Sequence, residues 1–314
     1  MSHHLRYQST AWATHHIVSR CLQGFAFLQP RPEIVAICKG VLGYSLHVHQ
    51  ETIKLHHYVF LSNHFHLLLS SEDAPALAKL MCHFKSNLAR ELARVHDWHG
   101  TLWQGRYSSE EVLDEEGLRE VFKYITQNSV KEGLVHHPSQ WKGLHGYHQL
   151  VDGEEVSGPW VDRTKLYWAL QRRKKVTEAD VTTYYAVTLT PPPMWSELEA
   201  SAYQDLCKTL SEEAIAEVQT RRKRGSMGMR RVLAQPVFKS RFTQRSARPL
   251  CRTKCIERLK SYKDQYYEFK SKFQEASATL RAALYSELTL IQIHFPWGGV
   301  PFFGGYVGDY VAPS

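Results

Sequence analysis

The amino-acid sequence predicts an α+β fold whose core is a four-stranded antiparallel sheet with helices on one face. Two observations in the first half of the chain support this prediction. Short β-branched segments and long amphipathic segments alternate in the order β-α-β-β-α-β-α. The segment 74–96 places apolar residues at helical spacing and carries basic residues on its other side. This order of elements is typical of the ferredoxin-like arrangement.

Turn and capping signals separate these elements along the chain. Pro30 and Pro32 interrupt the chain before the first helix, and Ser62-Asn63 separates two strands within residues 54–69. Asp114 is a suitable N-cap for the last helix, which Gly133 is expected to end. The other predicted strands are 13–21 and 106–113, and the predicted helices are 33–42, 74–96 and 114–132.

The composition changes after residue 150, and we expect two domains, 1–150 and 151–314. Residues 151–159 have the composition of a linker. Residues 221–260 contain 14 Lys or Arg and a single acid, Glu257. The extension is expected to be mainly helical, with its uncharged tail from Phe295 packed on the body. A charge run of this density favours contact with phosphates, so we expect the extension to bind DNA.

The bulk properties limit the classes of function. The chain has 314 residues, 43% of them hydrophobic, with a net charge of +8 and a pI near 9.1. This balance favours a polyanionic partner, most simply nucleic acid, with an anionic membrane surface as the alternative. No apolar run is long enough to cross a membrane. Six scattered cysteines are typical of reduced thiols, so we expect a cytoplasmic protein.

Two histidines two residues apart form a candidate metal site. His64 and His66 lie on one strand, where alternate side chains share a face, and Phe65 is expected on the opposite face. Two adjacent imidazoles bind a divalent metal when a third ligand is supplied from elsewhere. The alternative is that both are ordinary strand histidines. His56 and His57 either extend this cluster or make ordinary hydrogen bonds in their strand.

A tyrosine and an asparagine share one side of the helix that begins after Asp114. Tyr124 lies at the edge of the apolar stripe, and Asn128 follows four residues later. If this helix covers the strands with the two histidines, Tyr124 offers a hydroxyl nucleophile and Asn128 an amide oxygen. The alternative is that Tyr124 is a boundary residue whose hydroxyl lies in water.

Four motifs in order identify a family resemblance across residues 12–148. Residues 63–68, Asn-His-Phe-His-Leu-Leu, resemble the "PNHxHLL" signature of single-tyrosine HUH transposases. Residues 102–107 and 124–135 resemble that family's "LWQxRF/Y" and "YIxxNPVKAGLV" segments. Trp141 with Gly146-Tyr147 resembles the "W..SSY" that follows. The chain is most similar to the REP-associated tyrosine transposases, which are related to the insertion-sequence-200 type.

The resemblance implies an RRM-like HUH endonuclease core and a specific chemistry. Tyr124 would be the nucleophile on single-stranded DNA, giving a 5′-phosphotyrosine link and a free 3′-OH. His64, His66 and Asn128 would hold Mg²⁺ or Mn²⁺. Ser129 stands where the family has proline, which allows the helix to continue past Asn128.

The expected partner is single-stranded DNA with a REP-like hairpin, bound by a monomer or homodimer in the cytoplasm, associated with the nucleoid. Lys131, one turn after Asn128, either supplies charge to the site or is a solvated surface lysine. The alternative functions are those of a rolling-circle replication initiator and of a non-cleaving DNA-binding regulator descended from a transposase. The residues expected to contact DNA are Arg20, Arg106, Lys131, Arg221, Arg222, Lys223 and Arg224.

Overall fold

The structure, a computed structural model, describes residues 5–222, 225–240, 249–285, 292–293 and 310–311. Lys223 and Arg224 lie outside the described residues, as does the tail from Phe295 apart from a two-residue strand. The nine strands are β1 (Ala13–Arg20), β2 (Ile53–Leu61), β3 (His64–Ser71), β4 (Ser108–Val112), β5 (Ser157–Val161), β6 (Thr182–Ala186), β7 (Cys251–Arg252), β8 (Gln292–Ile293) and β9 (Tyr310–Val311) in the part of the chain that is described. The α-helices there are α1 (Pro32–Val48), α2 (Ala74–His96), α3 (Glu115–Lys131), α4 (Tyr147–Val151), α5 (Arg163–Gln171), α6 (Ala200–Arg221), α7 (Met229–Leu233) and α8 (Ile256–Tyr285).

The main sheet has five strands in the order β2-β3-β1-β4-β7. The first four pair antiparallel, as the sequence predicts, and β2 and β3 form a hairpin around Ser62-Asn63. The fifth strand, β7, comes from the extension and pairs in parallel with β4 through Glu111 and Cys251. The α+β fold class is therefore confirmed, with one more strand than expected.

The prediction that the helices share one face of the sheet is wrong, because helices cover both faces. Strand alternation directs Phe65, Leu67 and Leu69 into a core formed with α1 and α2. Leu68 lies in a second core, which α3 and α6 complete on the opposite face. The three consecutive apolar strand residues 67–69 require cover on both sides of the sheet. We call the α3 side, which carries His64, His66 and Leu68, the histidine face.

Helix α3 begins and ends as its sequence predicts. The Asp114 side chain accepts a hydrogen bond from the backbone N–H of Gly117, 2.8 Å away. The helix continues through Ser129 to Lys131, and Gly133 follows in the left-handed region with φ +74°. The uninterrupted helix keeps Tyr124 and Asn128 on one side, one turn apart.

The extension packs on both sides of the first half. Strands β5 and β6 form a hairpin against α1, and the predicted linker is shorter than expected because residues 157–159 belong to β5. A Cβ atom on Gly40 would lie 1.8 Å from the Pro159 carbonyl oxygen, so this contact requires glycine. Helix α6 packs against α3 from the other side. The division into domains at residue 150 stays a prediction.

Two further properties concern the cysteines and the helices. All six cysteines are free. Among the described residues, no helix combines the length and the apolar character that a membrane crossing requires.

Candidate active site

The two predicted metal ligands lie side by side on β3. Their ring centroids are 5.1 Å apart, and both side chains are buried on the histidine face. Phe65, between them, points to the opposite face, where it packs on Phe60 and Phe84. This is the arrangement that strand alternation predicts.

A hydrogen bond to the preceding residue determines which nitrogen of His64 carries a proton. The Nδ1 atom of His64 lies 2.7 Å from the Asn63 Oδ1 atom. An amide oxygen only accepts hydrogen bonds, so Nδ1 must be the donor. In the neutral ring, the lone pair is then on Nε2, which is the state that a metal ligand requires.

His66 is connected through a second histidine to a carboxylate. Its Nδ1 atom lies 2.9 Å from His16 Nε2, and the His16 Nδ1 atom lies 3.5 Å from a carboxylate oxygen of Glu110. The carboxylate orients the His16 ring so that Nδ1–H faces Glu110, and Nε2 then accepts a hydrogen bond from Nδ1–H of His66. The lone pair of His66 is then on Nε2 as well. A carboxylate behind a ligating histidine is a recurring way to set the tautomer and orientation of the ring.

Glu110 is held as a carboxylate by the polar groups on its two sides. Burial alone would raise its pKa, but the adjacent His16 ring and the nearby Arg252 guanidinium outweigh burial and lower the pKa. The Arg252 Nη2 atom lies 3.0 Å from the carboxylate. Since Arg252 is on β7, the extension contributes directly to this network.

The predicted nucleophile lies over the histidines. The Tyr124 ring centroid is 5.3 Å from that of His66 and 5.8 Å from that of His16. The Lys131 ammonium lies 4.5 Å from the Tyr124 ring centroid. Burial raises the pKa of the phenol, as does the charge of Glu132, whereas Arg20 lowers it.

Asn128 is completely buried beneath Tyr124, on the helix that covers the histidine face. Neither its amide oxygen nor its amide nitrogen has a hydrogen-bond partner among the described residues. The amide is close enough to Tyr124 to offset part of the rise in the phenol pKa, although the two groups do not meet hydrogen-bond geometry. A buried amide with no partner is costly, and an ion that accepts its oxygen would remove that cost.

The donor set fits the divalent cation that the family resemblance implies. The tautomers assigned to His64 and His66 place their lone pairs on Nε2. The Asn128 amide oxygen, which has no hydrogen-bond partner among the described residues, is a third candidate ligand on the covering helix. Two imidazoles and one amide oxygen are a suitable set for Mn²⁺ and an acceptable one for Mg²⁺.

A cleft of about 760 Å³ opens beside Tyr124. We call it the tyrosine cleft. His16, His66 and Glu110 line its floor. Six basic residues line it in addition: Arg20, Lys123, Lys131, Arg221, Arg252 and Lys254. Lys123 and Lys254 are paired with glutamates of the cleft rim, but cations outnumber acids in the lining, which favours a polyanion.

The residues predicted to contact DNA do not all lie in this cleft. Arg20, Lys131 and Arg221 line it. Arg106 is exposed in the loop before β4 and is not part of the lining. The Arg222 guanidinium donates to the carbonyl oxygens of Val130 and Gly225, 3.1 and 2.9 Å away, and so caps α3.

The sequence analysis did not find His16, Glu110 or Arg252. Val18 pairs with His66 across β1 and β3, and this register brings His16 to the diagonal position beside His66. Glu110 faces His16 directly in the β1–β4 pairing. A signal existed, since His16 and Val18 alternate in a predicted strand, but the pairing register is not readable from that strand alone.

The other histidines and tyrosines near the motifs have structural contacts. His56 hydrogen-bonds to the Thr190 carbonyl oxygen and the Ser70 hydroxyl, each 2.8 Å away, and His57 to the Thr126 hydroxyl, 2.9 Å away. Ordinary hydrogen bonding is thus the correct interpretation of both. Tyr58 is buried in the core of the opposite face, where burial raises its pKa.

One group of three His, Asp or Glu donors within 4.8 Å of one another is found among the described residues, and it lies elsewhere. It consists of His148, Asp152 and Glu154 at the end of α4. The two acids are exposed, and His148 Nδ1 is 2.6 Å from the Asp152 carboxylate. This surface ion pair explains the cluster without a metal.

Part of the chain is similar to a known protein family. Residues 44–128 match the sequence profile of the family described as "Transposase IS200 like". This segment includes the histidine pair, Tyr124 and Asn128. A search of curated protein sequences finds no significant match.

Two solved structures are similar to parts of the chain. One is a REP-associated tyrosine transposase bound to a REP hairpin, 18% identical, with a TM-score of 0.37, covering 48% of this chain and 86% of its own. The other, from Deinococcus radiodurans R1, was assigned as a transposase and is 18% identical, with a TM-score of 0.29, covering 40% of this chain and 95% of its own.

Proposed function

We propose that this chain is an IS200-like transposase that cleaves and rejoins single-stranded DNA with Tyr124 as the nucleophile. The match of residues 44–128 to that family's sequence profile supports the proposal. The observation that carries the proposal is the placement of Tyr124. Its ring lies 5.3 Å from that of His66, at the edge of a cleft rich in basic residues. A phenol, paired imidazoles and a cationic groove are the parts that phosphoryl transfer to a tyrosine requires.

The tyrosine must lose its proton to attack, and burial opposes this loss. Burial raises the pKa of Tyr124, whereas the Arg20 charge lowers it. The Lys131 ammonium over the ring also favours the phenolate over the neutral phenol. We propose that Arg20 and Lys131 stabilise the phenolate and the phosphate oxygens together as the substrate enters the cleft.

The proposed reaction exchanges one phosphoester for another. The Tyr124 phenolate oxygen forms a bond to the phosphorus, and the bond from phosphorus to the 3′ oxygen breaks. The 3′ oxygen leaves with the electron pair and takes up a proton, which balances the proton lost by the phenol. The product is a 5′-phosphotyrosine and a free 3′-OH. Attack by another 3′-OH reverses the step, so no energy source is consumed.

We propose that His64, His66 and Asn128 hold a divalent cation, Mg²⁺ or Mn²⁺. When bound, such a cation polarises the scissile phosphate and orients it for in-line attack. The unpartnered Asn128 amide and the His64 tautomer support this assignment. His16 and Glu110 would orient His66 from behind, and Arg252 would keep Glu110 ionised.

The motif resemblance to REP-associated transposases points to hairpin-bearing single strands as the substrate class. The positive charge of the cleft continues into the extension through Arg221, at the end of α6, and through the Lys and Arg residues of 249–260. This continuity supports a role for the extension in holding DNA beside Tyr124.

The test is the formation of a covalent adduct. The full-length protein is incubated with labelled hairpin-bearing single-stranded DNA and Mn²⁺, and the products are separated on a denaturing gel. We expect an adduct that Tyr124→Phe abolishes and that His64→Ala with His66→Ala lowers by at least about tenfold. Tyr107→Phe is the matched control, because the Tyr107 hydroxyl has no hydrogen-bond partner to lose among the described residues.

Two outcomes would contradict the proposal. An adduct that survives Tyr124→Phe would exclude Tyr124 as the nucleophile. Hairpin binding without any adduct would favour a DNA-binding regulator that does not cleave.

A further inference from the structure

We propose that α5 and the basic segment after it form a second binding surface for single-stranded DNA, outside the tyrosine cleft. This surface, the α5 surface, consists of Lys165, Tyr167, Trp168, Leu170 and the residues 172–175. The choice of DNA over RNA rests on the proposed function. The location and chemistry of the surface do not.

Helix α5 exposes large apolar side chains without burying any residue. Tyr167, Trp168 and Leu170 are 55%, 55% and 54% exposed, and none of the nine helical residues is buried. An isolated helix of this length is marginal in water, and its stability in a protein normally comes from a buried apolar face. Three exposed large apolar residues on one short helix therefore indicate a surface that meets a partner.

The helix is nevertheless fixed in place by polar contacts at its start. The Asp162 side chain accepts a hydrogen bond from the Lys165 N–H, 2.9 Å away. Arg163 pairs with Glu91 of α2, with 3.0 Å between Nη2 and the carboxylate, and also with Glu178. These contacts hold α5 against the body and leave its aromatic side chains presented to solvent.

The charge of this segment identifies the class of partner. Residues 163–177 contain six Lys or Arg and no acid. Arg163 forms ion pairs with Glu91 and Glu178, and the Lys165 ammonium lies 3.7 Å from the Asp162 carboxylate. The four consecutive basic residues 172–175, in contrast, are all exposed. Arg173 has φ +55°, so the chain turns at the helix end. A polyanion is the complementary partner for such a cluster.

An indole side chain and three basic side chains line one shallow pocket. Trp168 lines a depression of about 430 Å³ together with Lys165, Arg172 and Lys174. A nucleobase can stack on an exposed indole face while cations beside it contact the flanking phosphates. Single strands expose their bases for stacking, whereas the bases of a duplex are already paired and stacked on one another. The combination of exposed aromatic side chains and basic side chains thus favours single-stranded nucleic acid as the partner.

The α5 surface is separated from the tyrosine cleft by the sheet. The hairpin β5–β6 that flanks α5 packs on α1, where the Trp160 ring stacks on Tyr44 at 4.4 Å. Helix α1 covers the face opposite to the histidine face. A strand bound at α5 therefore does not compete with the strand in the cleft, and a long substrate could contact both.

The experiment measures the affinity of the full-length protein for a labelled oligo-dT of about 15 nucleotides, without a hairpin, by fluorescence anisotropy. We expect Tyr167→Ala with Trp168→Ala to weaken binding by about tenfold, because each stacked base is worth about 1–3 kcal/mol. Arg172→Glu with Lys174→Glu is expected to lower the slope of log affinity against log salt by at least roughly 1. Since α5 buries no residue, the variants should keep the thermal midpoint of the wild type.

The control is Tyr267→Ala, which removes an equally exposed tyrosine, 57% accessible, from α8. It should leave the affinity within about twofold of the wild type. Adduct formation on a short hairpin substrate should be unchanged in the α5 variants, which separates this proposal from the proposed function.

Four results would overturn the proposal. They are an affinity of the aromatic variant within about twofold of the wild type, tighter binding of oligo-rU than of oligo-dT, loss of self-association in place of DNA affinity, and loss of binding to phosphatidylserine vesicles in place of DNA affinity.

Discussion

The Nε2 atom of His16 lies 2.9 Å from Nδ1 of His66, across two neighbouring strands of the sheet. Behind His16, the Glu110 carboxylate is 3.5 Å from Nδ1 and is itself paired with Arg252. This relay of carboxylate, imidazole and imidazole determines the tautomer of His66 and places its lone pair on Nε2. It connects the first strand of the chain, the fourth strand and the extension to one ring.

We expect His16→Gln to weaken Mn²⁺ binding by about 10–100-fold, the usual cost of removing a partner behind a metal ligand. Isothermal titration calorimetry on the full-length protein measures this without any DNA. His15→Gln is the matched control, since His15 is also buried but bonds to Gln8 and Ser109. Equal Mn²⁺ affinity in His16→Gln and wild type would show that His66 does not depend on the relay.

Removal of the Arg20 side-chain charge near Tyr124 should shift the pH dependence of cleavage. Burial raises the pKa of Tyr124 and the Arg20 charge lowers it. The rate of adduct formation should therefore rise with pH, and Arg20→Gln should move this rise to higher pH by disfavouring the phenolate. Single-turnover rates across a pH series measure the shift. Lys123→Gln is the control because Lys123 is paired with Glu213 and Glu217, and a profile of Arg20→Gln that overlies the wild type would contradict the role.

A side chain at Gly40 should loosen the β5–β6 hairpin. A Cβ atom there would lie 1.8 Å from the Pro159 carbonyl oxygen, whereas a Cβ atom on Gly105 would meet nothing within 4 Å. We expect Gly40→Ala to lower the free energy of unfolding by about 1–3 kcal/mol through overpacking, measured by urea denaturation. Gly105→Ala serves as the control. An equal free energy of unfolding for Gly40→Ala and Gly105→Ala would mean that the β5–β6 hairpin is not tightly packed against α1 at Gly40.

Buried neutral histidines should make the protein sensitive to acid. Burial lowers the pKa of His56 to about 4, although the hydrogen bond to the Thr190 carbonyl partly opposes this. The pKa of His56 in the folded protein lies below its value in the unfolded chain, which is near 6.5. The contribution of the buried neutral His56 to the stability of the fold is therefore complete above pH 6.5. It is lost as the pH falls toward 4, a change on the order of 3 kcal/mol.

Urea denaturation at a series of pH values between 7 and about 4 measures this loss. In His56→Gln, the decline of the unfolding free energy with acid should be shallower than in the wild type. His99→Gln is the control because the His99 ring is almost fully exposed. Identical pH slopes of His56→Gln and wild type would exclude His56 as a source of the acid sensitivity.

Local patterns predicted most of the first half of the fold. The bounds of α2, the cap of α3 at Asp114 and its end before Gly133 depend on contacts within a few residues, which the sequence displays directly. The cover on both faces was missed, although the apolar run at residues 67–69 required it. In the extension, α6 and α8 agree with the expectation of a mainly helical segment, but the strands β5 and β6 were not predicted, because the two partners of this pairing are separated along the chain.

For the candidate site, the sequence was sufficient to predict that His64 and His66 share a face and that Tyr124 and Asn128 share a side of one helix. These are consequences of the periods of strand and helix, which are local. The position of α3 on the histidine face, and of His16, Glu110 and Arg252 behind His66, follows from long-range packing that the sequence does not display. Strand register and the docking of β7 are set by contacts between residues far apart in the chain, and no local periodicity encodes them.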